Sequence, residues 1–237
     1  MDWNCAWRKY LRRWRIILTG GGGKNRTSCV TISFSRNLNL PMPRNADILR
    51  QTKETRVKIT IDLDGVGKTV AATGVGFFDH MLDLLGRHSL IDLDVQAQGD
   101  LQVDAHHTVE DVGIVLGQAL EKALGEKRGI NRYGWASVPM DETLANVAID
   151  LSGRQAFVYN AQYHGGLIGQ FSVELIEEFF KALSTNARMN LHINVPYGTN
   201  NHHIAEAIFK ATARALRQAV SVDPRNPDVP STKGTLD

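Results

Sequence analysis

The chain has 237 residues, 43% of them apolar, which is enough for one large core or two small ones. Its formal charge of +2 hides an asymmetry: residues 1–41 carry eight Arg and Lys against Asp2 alone, so the remainder is acidic and is no nucleic-acid-binding body. Both cysteines, Cys5 and Cys29, fall in that leading segment, which leaves the body without a thiolate metal site or a disulfide framework, and no apolar run is long enough to span a bilayer.

The leading segment reads differently from the rest, with Trp3, Trp7 and Trp14 among arginines, then Gly20 to Gly23 and a Ser/Thr/Asn-rich tract. It is expected to be a disordered or non-native extension ahead of a natural start at Met42, and the body is then a cytoplasmic enzyme domain over residues 42–237. Its Arg-rich, acid-poor make-up also fits an organelle transit peptide, which would place the protein in a plastid.

In the body, Val57, Ile59, Ile61 and Leu63 alternate with polar residues and predict a half-buried strand. Asp64-Gly65 marks a turn, and residues 68–73 return as a second strand. After Gly74 and Gly76, the residues Phe78, Met81, Leu82 and Leu85 follow helical spacing to about Gly86. Ile91, Leu93, Val95 and Ala97 predict the next strand. Val109, Val112, Leu116, Ala119, Leu120 and Ala123 are the buried stripe of a long helix that stops at Gly125.

The second half repeats this order. Residues 135–140 and 143–151 read as a hairpin around Asp141-Glu142, with Phe157 to Tyr159 continuing it or adding a strand. Leu175, Ile176, Phe179, Phe180 and Leu183 predict a helix, Leu191, Ile193 and Val195 a strand, and Ala205, Ile208, Thr212, Ala215, Leu216 and Ala219 the last helix. Setting His106 on His202 also sets Val112 on Ile208 and Ala119 on Ala215. The body is an α+β tandem duplication of a ββαβα unit, with half-repeats at about 45–128 and 129–222 and a tail at 223–237.

Each half carries two adjacent histidines with a glutamate three residues beyond: DAHHTVED holds His106, His107 and Glu110, and NNHHIAEA holds His202, His203 and Glu206. Both open a helix. At about 100° per residue, neighbouring histidines splay apart and cannot readily grip one ion, so the pattern points to two ions completed by ligands from elsewhere. FDHML and IEEFF sit at equivalent places in the two short helices, which raises His80 and Glu178 as further donors. Imidazole and carboxylate without thiolate suit Mn, Fe or Zn. For any one of these residues alone, an ordinary solvated helix position is the better reading; the repeat is what lifts them.

TGVGFFDHMLDLLGRH, DAHHTVEDVGIVLGQAL, RGINRYG, PMDE, DLSGR, NNHHIAEAIFKATARALRQAV and PSTKG, in this order from about Asn45 to Leu236, resemble the imidazoleglycerol-phosphate dehydratases of histidine biosynthesis. The resemblance implies four-stranded sheets with helices packed on one face (the ribosomal protein S5 domain 2-like fold) and two Mn²⁺ per active site. It also implies a homo-oligomer of trimers built into a 24-subunit particle, with active sites at the interfaces. The ligands it implies are His80, His106, His107, Glu110, Glu178, His202, His203 and Glu206; several relatives have His in place of Glu178, and a carboxylate is also a competent Mn²⁺ ligand.

The reaction implied is loss of water from D-erythro-imidazole glycerol phosphate to give imidazole acetol phosphate. Hydroxide leaves from the carbon beside the ring, the resulting diazafulvene-like species acidifies the next C–H, and a carboxylate shuttles protons. The resemblance assigns that role to Glu54 or Glu206, assigns phosphate contacts to Arg132, Arg154, Lys210, Ser231 and Lys233, and places His88 beside the substrate together with Glu54, His80 and His106. Read without it, Glu54 is a surface charge at a strand start, the cations are solvated, and His88 caps a helix. Two other readings remain: a catalytically silent metal-binding assembly protein, which would need no phosphate clamp, and a metallohydrolase of a phosphorylated small molecule, which would release phosphate or alcohol.

Overall fold

Alternation of apolar and polar residues builds two equivalent four-stranded sheets. The first consists of β1 (Asn45–Gln51), β2 (Thr55–Asp62), β3 (Thr69–Ala72) and β4 (Asp92–Gly99), in the order β1-β2-β4-β3. The second consists of β5 (Tyr133–Met140), β6 (Thr143–Asp150), β7 (Ala156–Asn160) and β10 (Asn190–Tyr197), in the order β5-β6-β10-β7. Helices α1 (Gly76–Ser89) and α2 (His106–Leu124) belong to the first half, and α3 (Glu174–Asn186) and α4 (Asn201–Val220) to the second. This computed structural model describes residues 43–236, so the extension 1–41 and the expected start at Met42 lie outside the described residues. No helix among the described residues is long and apolar enough to cross a membrane.

The duplicated α+β unit expected from the repeat is present, with two differences. Residues 45–51 form an additional strand, β1, antiparallel to β2. Its single buried apolar residue, Ala46, gives too little alternation to announce it. The second difference concerns β3, which does not pair with β2 but runs parallel to β4 at the sheet edge. Asp92, at the start of β4, accepts from the backbone N–H of Val66 and of Lys68, each at 2.8 Å, and so carries the connecting loop across β4. The second half follows suit, with β7 parallel to β10.

The inward rows of both sheets, among them Val57, Ile59, Val95, Leu191 and Ile193, are wholly buried under the helices. Each such side chain contributes about 1.5–3 kcal/mol relative to exposure. The helices then pack across the halves: α1 lies on α4 and α2 on α3. Gly113 and Gly117 permit the second of these contacts, since a Cβ on either would stand 2.7 Å from a carbonyl oxygen of α3, Phe179 O or Leu183 O. Rings continue through the core, with Phe78 to Phe179 at 5.2 Å and Phe179 to Phe209 at 5.4 Å between centroids. The halves also differ: residues 73–75 join β3 to α1, but 161–173 join β7 to α3 and fold into a ribbon of β8 (Leu167–Ile168) and β9 (Phe171–Ser172), which the alternation pattern does not reveal in so short a stretch.

Candidate metal centre and active site

The crossing of α1 on α4 brings His80 from the first half to His202 and Glu206 from the second. His80 Nε2 is 2.9 Å and His202 Nε2 3.1 Å from Glu206 Oε1, and one donor atom from each of the three lies within 4.8 Å of the others. Lys210, one turn further along α4, donates to the other oxygen, Oε2, at 2.5 Å. Burial pushes the Glu206 carboxyl up, but hydrogen bonds from Lys210, His80 and His202 outweigh it and hold the pKa down at about 2. It is a fixed anion at neutral pH with Oε1 turned toward two imidazoles, and that donor set fits a divalent first-row metal ion. The edge of Phe77 packs on His202, with centroids 5.3 Å apart, and helps set the ring's orientation.

Caps place these histidines at the very start of their helices. Asn200 Oδ1 accepts from the backbone N–H of His202 at 2.9 Å and of His203 at 3.4 Å, and Asp104 Oδ1 accepts from that of His106 at 2.8 Å. Asn200 is the N-cap of α4 and gives the preferred cap chemistry for orphan N–H groups in a first turn. The N-cap of α2 is instead Ala105, and Asp104 serves the first N–H from the residue before it. Neighbouring rings do splay, His106 from His107 by 86° with centroids 6.1 Å apart and His202 from His203 by 86° at 6.4 Å.

The other expected donors are arranged less symmetrically. His106, Glu110 and Glu178 do not converge as a second such group among the described residues; Glu178 instead lies 3.6 Å from Lys181 Nζ. His107 and His203 are held by carboxylates that the resemblance did not single out, Asp100 at 3.0 Å and Glu142 at 2.7 Å, each on Nδ1. Those hydrogen bonds raise both imidazoles above the ordinary histidine range. The signal that could have found Glu142 is the doublet Glu142-Thr143, which opens β6 as Glu54-Thr55 opens β2. Glu54 is exposed and makes no side-chain hydrogen bond among the described residues.

Of the expected phosphate contacts, Arg132 grips Asp150 with Nε at 2.6 Å and Nη2 at 3.1 Å, and donates to the Pro230 carbonyl at 3.0 Å. It thereby draws the tail that bears Ser231 and Lys233 onto the end of the second sheet, where Arg154 follows β6. Lys210 stands apart from that group, on Glu206. His88 is half-buried near the end of α1; desolvation, then the nearby charges of Lys210 and Arg214, lower its pKa and favour the neutral ring.

The model of the family described as imidazoleglycerol-phosphate dehydratase matches residues 73–216, which span both helix starts and the whole His80–His202–Glu206 cluster. The chain is also 57% identical over 194 residues, 81% of its own length and 98% of the relative's, to the imidazoleglycerol-phosphate dehydratase of Azorhizobium caulinodans. The chain belongs to the imidazoleglycerol-phosphate dehydratase family. A second member, from Geobacter metallireducens, is 57% identical over 195 residues, covering 82% of this chain and all of that one. The crystal structure of imidazoleglycerol-phosphate dehydratase from Staphylococcus aureus superposes with a TM-score of 0.69 at 42% identity, covering 76% of this chain and 99% of that one. Imidazoleglycerol-phosphate dehydratases are hydro-lyases of histidine biosynthesis, so membership makes this chain an enzyme of the lyase class.

Proposed function

We propose that this enzyme catalyses the metal-dependent dehydration of D-erythro-imidazole glycerol phosphate to imidazole acetol phosphate. The observation that carries the reading is the convergence of His80, His202 and Glu206 from two halves of a chain whose family is named for that substrate. His80, His202 and Glu206 would hold one Mn²⁺, and His106, His107, Glu110, Glu178 and His203 would complete a two-ion site across subunit contacts in a 24-subunit assembly. When bound, such ions act as Lewis acids and as a template for the imidazole ring and a substrate hydroxyl. The body 42–237 carries the activity, in the cytoplasm, or in a plastid if residues 1–41 are a transit peptide.

The two carboxylates then divide the work. Glu206, held ionised at about 2 by Lys210 and two imidazoles, suits a ligand rather than a base, because a general base works best with a pKa near the operating pH. Glu54 has no competing hydrogen bond and takes the proton from the C–H beside the departing hydroxyl. The C–O bond breaks, hydroxide leaves with a proton as water, and the enol tautomerises to the ketone. Arg132, Arg154, Ser231 and Lys233 bind the phosphate, and Lys210 and neutral His88 line the approach to the ring.

The test is to strip the protein with chelator and assay imidazole glycerol phosphate with and without Mn²⁺. Manganese-dependent formation of the keto product is expected. Phosphate release would establish a metallohydrolase instead, and no product from folded, Mn²⁺-loaded protein would establish a silent assembly protein.

A further inference from the structure

The two halves secure the second histidine of each pair by the same chemistry from different places. In the first half Asp100, the residue after β4, accepts from His107 Nδ1 with both oxygens, at 3.0 and 3.2 Å. In the second half Glu142, the residue before β6, accepts from His203 Nδ1 at 2.7 Å. These positions are not related by the duplication. The counterpart of Glu142, before β2, is Glu54; Gly198, beside Thr143 and Ile204, matches Gly99, beside Thr55 and Thr108, so the counterpart of Asp100 is Thr199.

Side-chain chemistry explains why the second half takes its acceptor from the other strand. Thr199 carries no carboxylate to offer His203, and its hydroxyl instead donates to Glu142 Oε1 at 3.2 Å. Glu142 has both oxygens engaged, Oε2 with His203 and Oε1 with the backbone N–H of Thr199 at 3.1 Å and of Asn200 at 2.8 Å. Glu54, in the matching place, makes no hydrogen bond to an imidazole among the described residues, and only its charge is felt at His107.

An ionised carboxylate only accepts hydrogen bonds, so a neutral imidazole facing it must carry its proton on Nδ1 and keep its lone pair on Nε2. Carboxylates behind a histidine set the tautomer and ring orientation that an ion requires. We propose that Asp100 and Glu142 are paired positioning residues that fix His107 and His203 as Nε2 donors. Asp100, by doing in the first half what Glu142 does in the second, leaves Glu54 unencumbered as the proton carrier. The inference rests on the metal-dependent reading above.

The experiment titrates Mn²⁺ into the chelator-stripped full chain and follows the EPR signal of the free ion for wild type, Asp100→Asn, Glu142→Gln and Glu54→Gln. Asp100→Asn and Glu142→Gln are expected to weaken Mn²⁺ binding roughly 10–100-fold, whereas Glu54→Gln binds as wild type and loses turnover. The Asp100 side chain bonds only to His107 among the described residues, so the metal-free Asp100→Asn protein should melt as wild type does. Asp100→Glu keeps an acceptor-only group and is expected to bind several-fold more tightly than Asp100→Asn, a recovery that a merely structural role would not produce. Wild-type affinity in both Asp100→Asn and Glu142→Gln overturns the pairing, and a Glu54→Gln protein that loses Mn²⁺ as they do overturns the division of labour. Failure of wild type itself to bind Mn²⁺ sinks the metal reading instead, a distinguishable result.

Discussion

His80 Nε2 lies 2.9 Å from Glu206 Oε1, although 126 residues of chain separate them. Neither residue's own half supplies the other, so this donor group exists only once α1 has docked on α4. An ion held there binds the folded chain and not the unfolded one, and stabilises it by mass action. At a hundredfold excess over Kd that is about 2.7 kcal/mol, or roughly 5–10 °C in melting temperature for a domain of this size. Mn²⁺ should therefore raise the melting temperature of chelated protein by that amount, and His80→Ala should remove most of the increment. Calorimetry with and without Mn²⁺ checks both.

Glu206 carries the pH signature of the metal-free site. Its pKa falls from 4.5 to about 2 on folding. A group with a depressed folded pKa stabilises the fold above its unfolded value, and that contribution fades as pH falls toward the folded one. The stability difference between metal-free wild type and Glu206→Gln should be constant above about pH 5. It should shrink between about 4.5 and about 2. A difference that instead grew on acidification would contradict the charge arrangement around Lys210.

The α2–α3 contact leaves no room for a side chain at Gly117. Gly117→Ala puts a Cβ 2.7 Å from Leu183 O and 2.8 Å from Ala187 N, backbone atoms that cannot turn aside. Overpacking of this kind costs about 1–3 kcal/mol. Urea unfolding should show that loss with an unchanged slope.

Arg132 is expected to serve both phosphate and tail. Arg132→Lys keeps a charge but loses the fork that spans Asp150 and reaches Pro230 O. KM should rise about tenfold or more with a smaller change in kcat, as expected when ground-state and transition-state binding fall together. Proteolysis within residues 223–236 should also quicken. Wild-type KM with an intact tail would assign the phosphate to other cations.

Much of this protein is legible in contiguous residues. Alternation at Val57, Ile59 and Ile61 and helical spacing from Val109 to Ala123 announce their elements, because period 2 and period 3.6 are local properties of the backbone. The same holds for the two His-His-x-x-Glu starts, whose splayed rings follow from 100° per residue. Contacts between distant residues are another matter. That β3 lies beyond β4 depends on Asp92 holding a loop 24 to 26 residues away. Which half completes His202 and Glu206 depends on α1 packing against α4, a choice made by the apolar faces of both helices together. Asp100 and Glu142 come to equivalent histidines from non-equivalent positions, so no alignment of the repeat could pair them. The chain by itself determined most of the elements, the duplication and the kinds of donor, but not β1 or the β8–β9 ribbon. Only the tertiary structure decided which donors meet, because a bond between residues 126 apart is set by how surfaces pack rather than by any pattern along the chain.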